Sequence, residues 1–308
     1  MKIGIPRALL YYKYEKFWTT FFDQAGIEYI ISPATTKDIV DRGTALAIDE
    51  TCLPTKILLG HIDWLLDKCD YVFLPRVEFI YRSQMCTKFL AQIDLVRNTF
   101  REQNIQLLFY NLYKKGPKAE YKAIKKMGKY LHLKKSVIKD AYTKARQAQQ
   151  YYEMFRSQNQ LQILRETKKN KVLVVAHAYN IGDKFVGEPI LRTLRQLNCE
   201  PIIAEYFDAY ECLHHCPSIT TTLPWGYNRH LVGAIAQYHD QVDGIVILTT
   251  FPCGPDSMVN EMIARKVKDL PILTLTMDAQ DGTAGLETRL ESYVDILNFK
   301  KEQVHGGN

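Results

Sequence analysis

The residues best suited to chemistry are cysteines. The chain carries seven of them in 308 residues, an odd number without the dense spacing of a disulfide scaffold. Metal binding, redox chemistry and plain burial are therefore the uses to weigh. Three share one setting: Cys52 precedes Leu53-Pro54-Thr55-Lys56, Cys86 precedes Thr87-Lys88-Phe89, and Cys253 lies in Phe251-Pro252-Cys253-Gly254-Pro255-Asp256. Proline at the first helical turn costs little, because its missing N–H would have been unpaired there, so Pro54 and Pro255 mark helix starts. A helix N-terminus offers N–H groups and partial positive charge, which lower a thiol's pKa and hydrogen-bond to cluster sulfides. Three thiolates converging from two domains would suit an iron–sulfur cluster whose fourth iron position is open. Three unrelated cysteines at helix starts satisfy the same spacing, because no compact Cys-x-x-Cys signature is present.

The other four cysteines read differently. Cys69 and Cys199 each stand where a helix meets its following strand and look like small buried residues. Cys212-Leu213-His214-His215-Cys216 has the types of a metal knot, yet ligands so close together cannot easily all face one tetrahedral ion without a distant pair. Arg7, His177 and Tyr179 fall at the ends of expected strands, where polar side chains could orient a substrate. A histidine that merely satisfies backbone groups explains His177 equally well. For His61, a short helical distance beyond Cys52, packing and proton transfer are both open.

The elements that must position these residues alternate along the chain. Residues 2–5 read as an apolar strand, 11–24 as an aromatic-rich helix closed by Ala25-Gly26, and 28–32 as a second strand. Helices at 54–68 and 87–101 lead into strands at 71–75 and 105–110. From 114 to 167 the strand signals disappear and polar helical composition takes over. The pattern then restarts, with strands at 171–177, 200–204, 242–248 and 272–276 and helices at 186–197, 231–239, 256–266 and 288–297. This alternation predicts an α/β protein of two Rossmann-like or flavodoxin-like domains with parallel sheets, residues 1–168 and 169–308. Open α/β sheets bind ligands at the carboxyl ends of their strands, so the cluster site is expected in the crevice between the domains.

Charge and hydropathy bound the function class. The net charge of +6 is unevenly placed: residues 111–171 hold fourteen Lys and three Arg against four acidic residues, leaving the rest of the chain acidic. No nucleic-acid-binding motif accompanies that basic stretch, so a solvated helical face or an acidic protein partner explains it better than nucleic acid. No segment approaches the roughly 20 apolar residues of a membrane helix, and Met1-Lys2-Ile3-Gly4-Ile5 reads as a strand rather than a signal peptide. A cytoplasmic protein is expected.

Motifs around these residues make the chain similar to a known family. Ile3-Gly4-Ile5-Pro6-Arg7-Ala8-Leu9 with Tyr11-Tyr12, Glu50-Thr51-Cys52-Leu53-Pro54-Thr55-Lys56 with Gly60-His61, and Asp70-Tyr71-Val72-Phe73-Leu74-Pro75-Arg76 carry the likeness in the first half. His177-Ala178-Tyr179-Asn180 with Asp183, Phe251-Pro252-Cys253-Gly254-Pro255-Asp256 and Gly285-Leu286-Glu287-Thr288-Arg289-Leu290-Glu291 carry it in the second. Over nearly its whole length the chain resembles the acyl-CoA dehydratase activase-related proteins, relatives of 2-hydroxyacyl-CoA (2-hydroxyglutaryl-CoA) dehydratase D-component subunits and of double-cubane-cluster proteins. It departs from their pattern at Thr87, where proline is common, and at Ala279, where an acidic residue is common.

The resemblance implies a 4Fe–4S cluster, or half of a larger bridged one, on Cys52, Cys86 and Cys253, with electrons arriving from a separate ATP-hydrolysing activator. No Walker-type phosphate loop is present, so this chain would be the electron acceptor, passing electrons to a small-molecule or acyl-CoA substrate. The rival expectation is a non-catalytic accessory or scaffold protein that binds the activator or a dehydratase. A homodimer is compatible with either, since a sulfide-bridged pair would need six thiolates. A cysteine-nucleophile enzyme would need one cysteine paired with a base, and the sequence groups three cysteines more convincingly than it pairs one.

Overall fold

Lys2–Ile5, three of whose four residues are buried, forms the first strand, β1. The computed structural model describes residues 1–280 and 284–305. It divides into two units, Met1–Met154 with Pro224–Tyr227, and Phe155–Leu223 with Asn228–Asn308. The expected α/β class with two parallel-sheet domains is what the chain adopts.

In the N-terminal unit β1 is followed by α1 (Tyr11–Ala25), β2 (Glu28–Ile31), α2 (Lys37–Leu46), α3 (Leu53–Leu65) and β3 (Tyr71–Val77). A small antiparallel hairpin of β4 (Phe79–Ile80) and β5 (Ser83–Gln84) leads to α4 (Lys88–Thr99) and β6 (Leu107–Leu112). The basic stretch becomes two helices, α5 (Pro117–Tyr130) and α6 (Lys135–Glu166), and the division between the units falls within α6. The sheet order is β2-β1-β3-β6, all parallel. Trp18, Phe21, Phe22 and Phe73 pack edge-on in its core.

Helix α2 escapes the apolar periodicity because only Ile39, Val40 and Gly43 of its ten residues are buried. Thr36 caps it by accepting the Ile39 N–H. Two glycines let it pack against α3: a Cβ on Gly43 would stand 1.8 Å from the Lys56 carbonyl oxygen, and one on Gly60 would stand 1.9 Å from that of Ile39. Backbone cannot retreat as a flexible side chain can, so Gly60→Ala should destabilise the N-terminal unit by about 2–3 kcal/mol. All three tryptophans, Trp18, Trp64 and Trp225, belong to this unit. A fall in the urea midpoint of tryptophan fluorescence is the check.

The C-terminal unit contains β7 (Asn170–Val175), α7 (Ala178–Ile181), α8 (Glu188–Gln196), β8 (Cys199–Ile203), α9 (Ala209–His215) and most of α10 (Gly226–Tyr238). It is completed by β9 (Gly244–Thr250), α11 (Gly254–Lys266), β10 (Ile272–Met277) and α12 (Ala284–His305). Its sheet is again parallel, β8-β7-β9-β10. The fully buried β9 is a continuous apolar run ending in two threonines, as expected of a strand covered on both faces.

The two sheets share one topology, and a local device repeats with it. In the N-terminal unit the Lys2 N–H donates to the Asp70 carboxylate at 2.7 Å while the Asp70 N–H donates to the Lys2 carbonyl at 2.9 Å. In the C-terminal unit Lys171 and Asp243 make the same reciprocal pair at 2.7 and 2.8 Å. Each pair fixes the register of the unit's first strand against its third. In each sheet the second strand lies on one side of the first and the third on the other. The chain thus reverses direction of travel between β1 and β3, and again between β7 and β9. Ligands of open α/β sheets sit outside the strand ends at this reversal. Arg7 follows β1, His177 follows β7 and Cys253 follows β9, so each occupies such a position in its own unit. Among the described residues no helix is long and apolar enough to cross a membrane.

Candidate functional site

Cys52 is the N-cap residue of α3, with extended backbone, and its carbonyl accepts the Thr55 and Lys56 N–H groups at 2.9 and 3.2 Å. Its sulfur lies 3.3 Å from the Thr55 hydroxyl. Cys253 is the N-cap residue of α11, and its carbonyl accepts the N–H and hydroxyl of Ser257 at 3.0 and 2.8 Å. Cys86 stands one residue ahead of Thr87, the N-cap of α4, and its carbonyl accepts the Phe89 N–H at 3.0 Å. All three are half-buried.

Of the remaining cysteines three are buried, and Cys69 is half-buried but engaged by its neighbours. Cys69 donates to the Leu65 carbonyl and presses on Gly4, where a Cβ would come within 2.5 Å of the sulfur. Cys199, Cys212 and Cys216 are buried. Burial raises the thiol pKa of Cys69, Cys199 and Cys216 and pushes that of Cys212 up to about 12. In the Cys212-to-Cys216 stretch the cysteines are buried and His214 and His215 are exposed, so they share no metal knot. Among the described residues, no three or more His, Cys, Asp or Glu gather as a metal site. Cys52 and Cys86 belong to the N-terminal unit and Cys253 to the C-terminal one. As donors the three fit an iron–sulfur cluster: soft thiols, partly open to solvent, each beside a first helical turn.

At the reversal point of the C-terminal sheet four elements meet on one carboxylate. His177, just past β7, places Nε2 2.8 Å from Asp256 Oδ1. Asn228, near the start of α10, donates to the same oxygen at 2.9 Å, and Thr249, near the end of β9, donates to Oδ2 at 3.0 Å. Asp256 itself is in the first turn of α11. All four residues are buried. Burial would raise the Asp256 carboxyl, but His177, Asn228 and Thr249 hold it down at about 2. Burial likewise opposes charge on His177; Asp256, helped by Glu205, outweighs it and raises the imidazole pKa above its ordinary value. Tyr179 stacks on the imidazole, ring centroids 5.0 Å apart. Sequence reasoning named His177 and Tyr179 but gave Asp256 no role beyond a helix start and the end of a family motif. The legible signal was an acidic residue three positions beyond a strand-end cysteine.

In the N-terminal unit Arg7 donates its backbone N–H to the Ser32 hydroxyl at 2.8 Å and its Nε to the Ser32 carbonyl at 3.1 Å. Its guanidinium lies over the Tyr11 ring. His61 is fully buried, with Nε2 3.0 Å from the Thr35 hydroxyl. Burial, and then the nearby Arg7 charge, push its pKa down to about 3. His61 is therefore neutral near pH 7, a buried ring held against the Thr35 hydroxyl.

Comparison with solved structures returns distant likenesses. The SBP FpvC of P. aeruginosa in complex with Ni2+ is 12% identical, over 98% of this chain and 97% of that one, at a TM-score of 0.31. A ZnuA crystal structure is 11% identical over 97% and 98%, at a TM-score of 0.28. The Zn(II)-bound ZnuA-like domain of Streptococcus pneumoniae AdcA is 10% identical over 96% and 97%, at a TM-score of 0.26. Scores this low carry no argument about this chain. No curated protein matches it. A family model does: residues 2–207, the whole of the first sheet and the start of the second, match the one described as "CoA enzyme activase uncharacterised domain (DUF2229)". With two thirds of its length matched, from the Gly4-Ile5-Pro6-Arg7 opening through Cys52 and Cys86 to His177 and Tyr179, the chain belongs to this CoA enzyme activase-related family.

Proposed function

We propose that the chain is an iron–sulfur protein of the 2-hydroxyacyl-CoA dehydratase/activase-related type. It accepts low-potential electrons from a separate ATP-hydrolysing activator and passes them to a small substrate, of which an acyl-CoA is the first to test. The observation that carries this reading is the division among the cysteines. Cys52, Cys86 and Cys253 stand at helix starts, half-buried; Cys199, Cys212 and Cys216 are buried, and Cys69, itself half-buried, presses on Gly4 away from any helix start, with burial raising the thiol pKa of all four. Family membership supports the coarser part, a role connected with CoA enzyme activation.

Cys52, Cys86 and Cys253 would hold a 4Fe–4S cluster, which when bound supplies one-electron reduction and an open iron as Lewis acid. The chain's own polar groups do the rest. His177, whose pKa Asp256 raises, sets Nε2 against the carboxylate, and that buried contact shapes the field at the end of β7. Tyr179, half-buried on the imidazole face, offers its hydroxyl for orienting a ligand. Arg7 brings a cation to the corresponding end of β1, suited to phosphate or carboxylate groups.

Anaerobic reconstitution with iron and sulfide tests the reading. The protein should turn brown, bind close to the iron and sulfide of one cubane per chain, and be reoxidised by acyl-CoA after reduction. A colourless product would overturn the cluster. A stable cluster indifferent to acyl-CoA and other small acceptors would leave an accessory protein instead of a reductase.

A further inference from the structure

We infer that Asp256 is the positioning residue for Cys253. By holding His177, Asn228 and Thr249 at once, it fixes the first turn of α11 and hence the direction in which the N-cap thiol is presented. The consequence for a cluster rests on the proposed function; the positioning itself does not.

Helix ends fray unless something outside the helix holds them. The cap residue of α11 makes no side-chain capping bond, and a Cβ built on Gly254 would meet nothing within 4 Å. Asp256 is the third residue of the helix. An acidic side chain there ordinarily turns back to the N–H of the cap residue. Here Oδ1 is taken by His177 and Asn228, and Oδ2 by Thr249. These three come from three other elements, the end of β7, the start of α10 and the end of β9, so the carboxylate ties the helix start to the sheet at its reversal point. Cys253 is one turn back along the same backbone and linked to it through the Ser257 bonds to its carbonyl. The charged groups around the carboxylate are His177 on the β7 side and Glu205, which acts on His177 from just after β8.

The test uses the full chain without metal and measures iodoacetamide alkylation of each cysteine by peptide mass spectrometry. Asp256→Ala should change the rate at Cys253 by about tenfold or more, while Cys52 and Cys86, in the other unit, keep theirs. Asp256→Asn keeps the shape and one acceptor oxygen for His177 and Asn228, while its amide can donate to the Thr249 hydroxyl where the carboxylate accepted from it, and it should return most of the difference. In reconstituted protein, the electron paramagnetic resonance spectrum of the reduced cluster should shift in Asp256→Ala and recover in Asp256→Asn. Thr249→Val, which removes one tie and no charge, should move the Cys253 rate in the same direction by less, and keeps the test decisive should Asp256→Ala fail to fold. An unchanged Cys253 rate in these variants, or a parallel rise at all three cysteines, would overturn the assignment. If the wild-type chain takes up no iron yet Cys253 alone responds, the cluster reading falls and the positioning assignment stands. If the chain takes up iron and Cys253 does not respond, the cluster reading stands and the positioning assignment falls.

Discussion

Replacing Cys253 by Ser should lower the iron retained after anaerobic reconstitution by about tenfold or more. Cys52→Ser and Cys86→Ser should do the same, while Cys69→Ser and Cys199→Ser should retain wild-type iron per folded chain. A serine hydroxyl is a hard, weakly acidic donor where iron–sulfur chemistry needs a thiolate, and a site with three protein ligands has none to spare. The controls are informative because the structure gives each a different use. Cys69 fills the space over Gly4 that a Cβ would close, and Cys199 is the fully buried first residue of β8. Serine at the fully buried Cys199 buries a hydroxyl and costs stability of about 1–3 kcal/mol if unpaired, and less at the half-buried Cys69, which is why iron must be scored per folded chain. Loss of iron in Cys69→Ser or Cys199→Ser, with Cys253→Ser unaffected, would sink the ligand assignment.

Much of this arrangement was legible because strand and helix signals alternate cleanly. The all-apolar run Ile245-Val246-Ile247-Leu248 could hardly be anything but a central strand, and Pro54 and Pro255 announced α3 and α11. The helix starts at Cys52 and Cys253 came out as read, whereas α4 begins one residue later than Cys86 implied, with Thr87 as its cap. Helix α2 was silent because it meets α3 through one glycine on each helix, and beside Gly43 only Ile39 and Val40 mark its buried face. Helix α9 was silent because seven residues are too few to show a period. The partners of Asp256 were illegible for a different reason. Asn228, Thr249 and His177 lie 28, 7 and 79 residues away, and only the parallel pairing of β7 with β9 brings such distant residues to one carboxylate.

That carboxylate also carries the second large effect. His177→Ala should destabilise the C-terminal unit by about 3–5 kcal/mol, because it strands a buried charge. The effect should depend on pH in a direction fixed by the two shifts. His177 is raised above 6.5, so its contribution is fully present below that pH and is lost as pH rises through the folded value. Asp256 is lowered from 3.8 to about 2, so its contribution is present above pH 3.8 and is lost as pH falls through about 2. The pair therefore stabilises most between pH 3.8 and 6.5. In His177→Ala the carboxyl loses its cation, its pKa climbs, and acidification neutralises it, so the deficit against wild type should shrink toward low pH. Above the raised histidine value the deficit should also narrow, though not vanish, since a neutral imidazole still donates from Nε2. The tryptophans all report on the other unit, so amide hydrogen exchange in β7 and β9 is the measurement that reads this one. A deficit that is flat from about pH 4 to about pH 9 would mean that His177 binds its proton no more tightly in the folded chain than in the unfolded one, and that the contact acts by shape and hydrogen bonding alone.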